Sequence, residues 1–158
     1  MRFIDRIIIY IDYIMNNIKT QDLQFGYSME QKAQAKLQGY FGNLYNNNTH
    51  NKYHPIDFKN DDYGVEYKRR RINFGQYPTL MVNKSKITKG REYIEKDNRK
   101  VFYVWECDDD WYYWELNESQ FDMGTGGTNR RGCDDWVDVA HIENQYISKL
   151  SDLEIISK

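Results

Sequence analysis

The sequence predicts an α/β, more strictly an α+β, fold in which a mixed β-sheet is flanked by helices. Three observations predict it. The first 44 residues carry apolar side chains at helical spacing; most of the remainder breaks into short Tyr-, Val- and Trp-rich runs between Asn, Asp and Gly clusters; and a basic helical stretch interrupts those runs. At 158 residues, 40% hydrophobic and 16% aromatic, the chain fits one domain spanning 1–158 and has enough apolar surface to rule out disorder. It shows no repeats and no linker.

Residues 1–19 form the first element. Phe3, Ile7, Tyr10 or Ile11, Ile14 and Ile18 recur at helical spacing, with Asp5, Asp12, Asn16 and Lys19 elsewhere. This amphipathic helix is expected to serve as a core or dimer helix, so a homodimer stays open. Asp5 and Asp12, with Arg2 and Arg6, argue against a membrane span, and no small-residue cleavage site follows, so the chain is not expected to be secreted. Cys107 and Cys133 have no CxxC spacing and no recognisable spacing to a histidine, which suits a cytoplasmic or other reducing compartment and no zinc site.

Residues 20–27 read as a loop, and Ser28 as the N-cap of a second helix over roughly 29–44, with Met29, Ala33, Leu37, Tyr40, Phe41 and Leu44 as its stripe. An Asn-rich loop covers 46–52. Strands are expected at 53–58, 64–72 and 79–82, with a turn at 59–63. A basic helix is expected over 88–96. A second hairpin, 101–107 with 111–116, surrounds the acidic turn Asp108–Asp110. A glycine-rich loop, 124–132, carries Arg130 and Arg131 and precedes a last strand at 136–142 and a polar, partly helical tail.

Net charge is −2, yet its distribution is uneven. From Lys68 to Lys100 there are eleven Lys or Arg against three acids, so this segment carries +8 and the rest −10. A basic segment beside clustered carboxylates suits an enzyme that grips a polyanion through a metal. Arg69, Arg70, Arg71, Lys84, Lys86, Lys89 and Arg91 are candidate phosphate contacts, and Arg130 and Arg131 could cradle a phosphate in their loop.

The hairpin 53–72 carries the chemistry. Alternation places Pro55 and Asp57 on one face, with Ile56 and Phe58 on the other; across from them Glu66, Lys68 and Arg70 share a face while Val65 and Tyr67 point away. The register then brings Asp57 beside Glu66 and Lys68. Two carboxylates and an ammonium suit phosphodiester hydrolysis: oxygen ligands hold Mg²⁺, the metal acidifies a water, and a lysine orients or deprotonates that water or stabilises the pentacovalent phosphate. The backbone carbonyl of Tyr67 is the natural third protein ligand.

The string Tyr53-His-Pro-Ile-Asp57 … Gly64-Val-Glu66-Tyr-Lys68 resembles the motif of the PD-(D/E)xK nuclease superfamily, with Ile56 set between Pro55 and Asp57 where the motif has them adjacent. The resemblance covers about half the chain. It implies a restriction-endonuclease-like core over 28–107 with an extra N-terminal helix, Mg²⁺ (or Mn²⁺) as cofactor and DNA as partner. It also implies Asp57 and Glu66 as metal ligands, Lys68 as catalytic lysine and Glu30, on the preceding helix, as accessory acid. The function expected is a metal-dependent DNA endonuclease; the alternative is a catalytically inactive nucleic-acid-binding module of the same fold.

Overall fold

The computed structural model describes residues 3–49, 51, 54–127 and 136–155, with Gly26 and Tyr27 described by their backbone alone. Arg130 and Arg131 lie outside the described residues, as do Tyr53 and Cys133. The described chain opens with one continuous helix, α1 (Phe3–Phe41), in place of the two helices expected on either side of a 20–27 loop. No proline interrupts residues 3–41, and the two glycines there, Gly26 and Gly39, each cost only about 1 kcal/mol against alanine. Thr20, Asp22 and Ser28 sit in the helix as tolerated polar residues, not as caps. The helix stops at Gly42, whose φ of +82° is the left-handed conformation that ends helices, and whose N–H donates to the Gln38 carbonyl at 3.1 Å.

Two sheets follow. The larger has strands in the order β1 (Tyr45–Asn46), β2 (Phe58–Lys59), β3 (Tyr63–Arg69), β5 (Lys100–Glu106), β6 (Trp111–Glu115) and β9 (Ser148–Lys149). β3 and β5 run parallel and their neighbours antiparallel, so the sheet is mixed. The smaller sheet joins β4 (Thr79–Asn83), β8 (Val137–Glu143) and β7 (Phe121–Gly126). The strand expected at 79–82 therefore does not extend the first hairpin as a meander. It crosses to the second sheet and leads into α2 (Lys84–Asp97), which starts four residues before the expected basic helix. The parallel pairing of β3 with β5 accounts for this, because parallel neighbours need a crossover, and β4 with α2 supplies it.

β5 shows how the layers are held. Residues 101–105 are all buried, and their side chains alternate between two cores. Val101, Tyr103 and Trp105 enter one core with Ile87 and Tyr93 of α2 and Leu80, Val82, Ala140 and Ile142 of the small sheet. Phe102 and Val104 enter the other with Ala33, Leu37 and Phe41 of α1. The large sheet thus has α1 on one face and α2 with the small sheet on the other. Close approach of α2 depends on Gly90, where a Cβ would lie 2.5 Å from the Tyr103 hydroxyl. Only the C-terminal part of α1 is docked; Phe3, Ile4, Ile8, Ile9, Tyr10 and Tyr13 are all more than half exposed. No helix of the described residues is long and apolar enough to cross a membrane.

Candidate active site

The site forms at an edge of β3. β2 pairs with β3 only through Phe58 with Val65 and Lys59 with Gly64, so among the described residues β3 has no strand neighbour on that side beyond Val65. Among the described residues of the expected strand 53–58 only Phe58 falls in β2, and Asp57 precedes the pairing. For that reason Ile56 and Phe58 do not share a face as alternation predicts: Ile56 enters the α2-side core and Phe58 the α1-side core. Asp57 is left pointing along the sheet edge, where its Oδ2 accepts the Tyr67 N–H at 3.0 Å. Its own N–H donates to Glu66 Oε2 at 3.1 Å. Asp57 and Glu66 are 7% and 5% exposed, which makes them the only buried carboxylates among the described residues.

Both faces of the sheet contribute. From α1, Glu30 reaches the same spot: Asn48 donates its amide to Glu30 Oε1 at 2.5 Å and to Asp57 Oδ1 at 3.0 Å. From α2, Lys86 donates to Glu66 Oε1 and, at 3.2 Å, to the Pro55 carbonyl. Lys68 leaves β3 on the Glu66 side and has no ion-pair partner within 4 Å among the described residues. The Tyr67 carbonyl faces the site as well, because a strand residue directs its N–H and C=O to the same side.

The electrostatics follow from this crowding. Burial, and then repulsion from Asp57, raises the Glu30 carboxyl to about 7. The same two causes, in the same order, hold Glu66 well above the carboxylate range. Lys68 remains exposed at the rim, yet the protein packed around its ammonium, and then Arg70 and Lys86, pulls it below the ordinary lysine value. Lys86 is raised: Glu66 and Asp57 outweigh the opposing cost of burial.

A pH dependence follows for the metal-free protein. Unfolded, Glu30 gives up its proton near 4.5; folded, it keeps it until about 7. Between those values the folded chain holds more protons, so stability falls as pH rises through that window. In chelator, wild type should melt at a higher temperature at pH 5 than at pH 7.5. Glu30→Gln should show less of this slope, and an unchanged slope would exclude Glu30 as its source.

The site opens into a groove of about 1820 Å³, floored by Glu66–Arg71 of the strand and its continuation, and walled by α1 and by Met81, Val137 and Val139 of the small sheet. Of the basic residues picked out by sequence, Lys68, Arg69, Arg70, Arg71 and Lys86 line this groove. Their engagements differ. Arg69 is held by Asp108 at 2.5 Å and by the Glu106 carbonyl at 2.9 Å, which makes it a clamp between strand and turn. Arg71 lies 4.6 Å from the Phe25 ring centre, tying α1 to the groove floor. Lys84 lies outside the groove, 3.9 Å from Asp138. Lys89 and Arg91 pair with Glu92 and Glu118. The acidic turn is structural: Asp108 holds Arg69, and Asp109 accepts from the Phe74 N–H and the Tyr112 hydroxyl.

Sequence reasoning missed Asn48, which is buried and joins two of the acids. Nothing in an Asn-rich loop marks one asparagine over its neighbours. Charge grouped Lys86 with the phosphate contacts and gave no sign that its ammonium meets Glu66.

Residues 52–153 match the family described as "phage putative PDDEXK endonuclease". The chain belongs to this family. The match spans Asp57, Glu66, Lys68 and Lys86 and leaves out all of α1, Glu30 included. No curated relative and no solved structure matches the chain. The superfamily resemblance of the hairpin thus stands, and with it the α+β fold in which a mixed sheet is flanked by helices.

For a member of this PD-(D/E)xK family a divalent metal is the implied cofactor. Among the described residues no three His, Cys, Asp or Glu side chains converge as a ready metal cage. The donor set nonetheless fits a hard cation. Asp57, Glu66 and the Tyr67 carbonyl are oxygen donors, and magnesium takes few protein ligands and keeps its waters. Of the two ammonium groups near these acids, Lys86 and Lys68, only Lys86 is in contact with one of them, Glu66. Asn48 Oδ1 is buried with no hydrogen-bond partner, an acceptor that a metal's water could satisfy.

Proposed function

We propose that this chain is a divalent-metal-dependent DNA endonuclease that hydrolyses phosphodiester bonds. The observation that carries the reading is the meeting of Asp57 and Glu66 at the open edge of β3, with Lys68 beside them in the groove. The groove volume supports a polymeric substrate, since small-molecule pockets fall within roughly 300–1,000 Å³.

Asp57, Glu66 and the Tyr67 carbonyl would hold the metal, and Glu30 would support them through Asn48. Bound there, magnesium or manganese supplies Lewis acidity toward the phosphate and lowers the pKa of a water. Lys68, with its ammonium weakened, is suited to orient or deprotonate the attacking water or to donate to the phosphate as charge builds. Arg70 and Arg71 would hold neighbouring phosphates, which makes binding salt-dependent.

The test is incubation of plasmid, linear, single-stranded and branched DNA with Mg²⁺ or Mn²⁺. Metal-dependent cutting is expected, with Lys68→Ala slower by about 10²–10⁴-fold. Unchanged cutting by that variant would remove Lys68 from the mechanism. Salt-sensitive binding without cutting, with either metal, would establish the inactive binding module instead.

Self-association belongs to the same proposal. Ile4, Ile7, Ile11, Ile14 and Ile18 follow each other at steps of three and four, the spacing of a coiled-coil seam, and are 39–67% exposed. The flanking Ile8, Tyr10, Met15 and Asn17 carry no charge to repel a second copy. Sedimentation should give at least twice 19.1 kDa, and Ile11→Asp should restore the single-chain mass. A wild-type chain that sediments as a monomer would refute the seam.

A further inference from the structure

Lys86 occupies a position that neither its sequence context nor the proposed chemistry explains. It sits in the first turn of α2, where the helix dipole disfavours a cation, yet its ammonium turns away from solvent into the carboxylate group. There it contacts Glu66 Oε1 and the Pro55 carbonyl, and its side chain is 28% exposed. The turn that carries it is tethered: the Tyr103 hydroxyl donates to the Lys86 carbonyl at 2.9 Å. Glu66 Oε1 is also one of the few oxygens from which a metal could be held at this edge, since Oε2 already accepts the Asp57 N–H.

We propose that Lys86 is a resident counter-ion that holds the carboxylate group together without metal, and that a divalent cation must displace it from Glu66 in order to bind. This rests on the metal-dependent reading above. Two cations cannot share one buried carboxylate oxygen without strong repulsion, since Coulomb energies rise steeply in a poorly solvated site. Metal entry therefore carries the cost of breaking the Lys86–Glu66 contact, which lowers metal affinity and releases an ammonium beside the groove. Any agent that favours the displaced lysine, a phosphate in the groove above all, would raise metal affinity by the same factor, because coupling between sites is reciprocal. Metal and polyanion would then bind cooperatively without any movement of the sheet.

Calorimetry with Ca²⁺ as the probe tests this on the full chain. Lys86→Met, which keeps the stem and removes the charge, should bind Ca²⁺ about tenfold more tightly than wild type and melt at a lower temperature in chelator. A purely structural lysine would give unchanged or weaker Ca²⁺ binding in that variant, and this result would overturn the proposal. A second measurement needs no variant. Acylation of Lys86 in wild type by an amine-reactive ester, followed by mass spectrometry, should speed up severalfold when Ca²⁺ is added. An unchanged rate would also overturn it. If wild type binds neither Ca²⁺ nor Mg²⁺, the metal-dependent function falls and this inference with it; if wild type binds but neither readout moves, only the role of Lys86 is lost.

Discussion

Asp57→Asn should abolish DNA cleavage, by at least about a thousandfold, while the metal-free protein melts no lower than wild type. The two halves of this expectation have separate causes. A carboxylate that holds the metal acts on every step of the hydrolysis, and loss of even one group that stabilises a developing charge commonly costs 10²–10³-fold. In the metal-free fold the same carboxylate is a burden. It is nearly buried, and its charge is among the causes that raise both Glu30 and Glu66. An asparagine there keeps an acceptor for the Tyr67 N–H and removes the repulsion. An acid kept only for a structural ion pair would behave the other way, losing stability along with activity. Initial rates on supercoiled plasmid and melting in chelator measure the two halves. A variant that melts well below wild type would show that Asp57 supports the fold first.

The second large effect concerns α1. Leu37→Ala should destabilise the protein by about 2–5 kcal/mol, since the side chain is fully buried between the helix and the large sheet and its loss leaves a cavity. Ile7→Ala, in the same helix, should stay within about 0.5 kcal/mol, because Ile7 is 42% exposed and touches no core. Chemical denaturation of both variants at low protein concentration, where self-association does not contribute, gives the comparison. Equal losses would mean that the first half of α1 is packed within the single chain. If the difference appears as expected, one helix has two roles: its C-terminal half is a wall of the core that presents Glu30 to the site, and its N-terminal half is an arm whose isoleucines await a partner.

The comparison of Leu37 with Ile7 also shows where sequence reading succeeds and fails. Both halves of α1 have apolar residues at helical spacing, so both were legible as helix. Their union was not, because residues 20–27 carry loop-tolerant side chains but no breaker, and propensity differences of a few tenths of a kcal/mol do not decide such a segment. Nor does periodicity say which apolar stripe finds a partner. The hairpin was legible for another reason. An acid, a gap and then Glu-x-Lys is a linear pattern, and the two-residue period of β3 sends Glu66 and Lys68 to one side and Val65 and Tyr67 to the other. The approach of Asp57 was harder to see, since residues 54–57 are not regular strand. There Ile56 and Phe58 part to opposite layers, and Asp57 lies in the plane between them. Asn48 was not legible as a site residue, and Lys86 was legible only as a candidate phosphate contact, not as a partner of Glu66. The lysine comes from a helix reached through the second sheet, the asparagine from a short turn after α1.

By itself the sequence determined the kinds of element, the family pattern in the hairpin and the supply of carboxylates and cations, because these depend on residue type and on spacing along a few consecutive positions. Only the tertiary structure decided that Glu30 and Lys86 meet Asp57 and Glu66 from opposite faces of the sheet. That meeting depends on which strands pair. β3 takes β5 as its parallel neighbour and leaves its other edge open, and the energies that select this pairing belong to packed layers that no local stretch of chain contains.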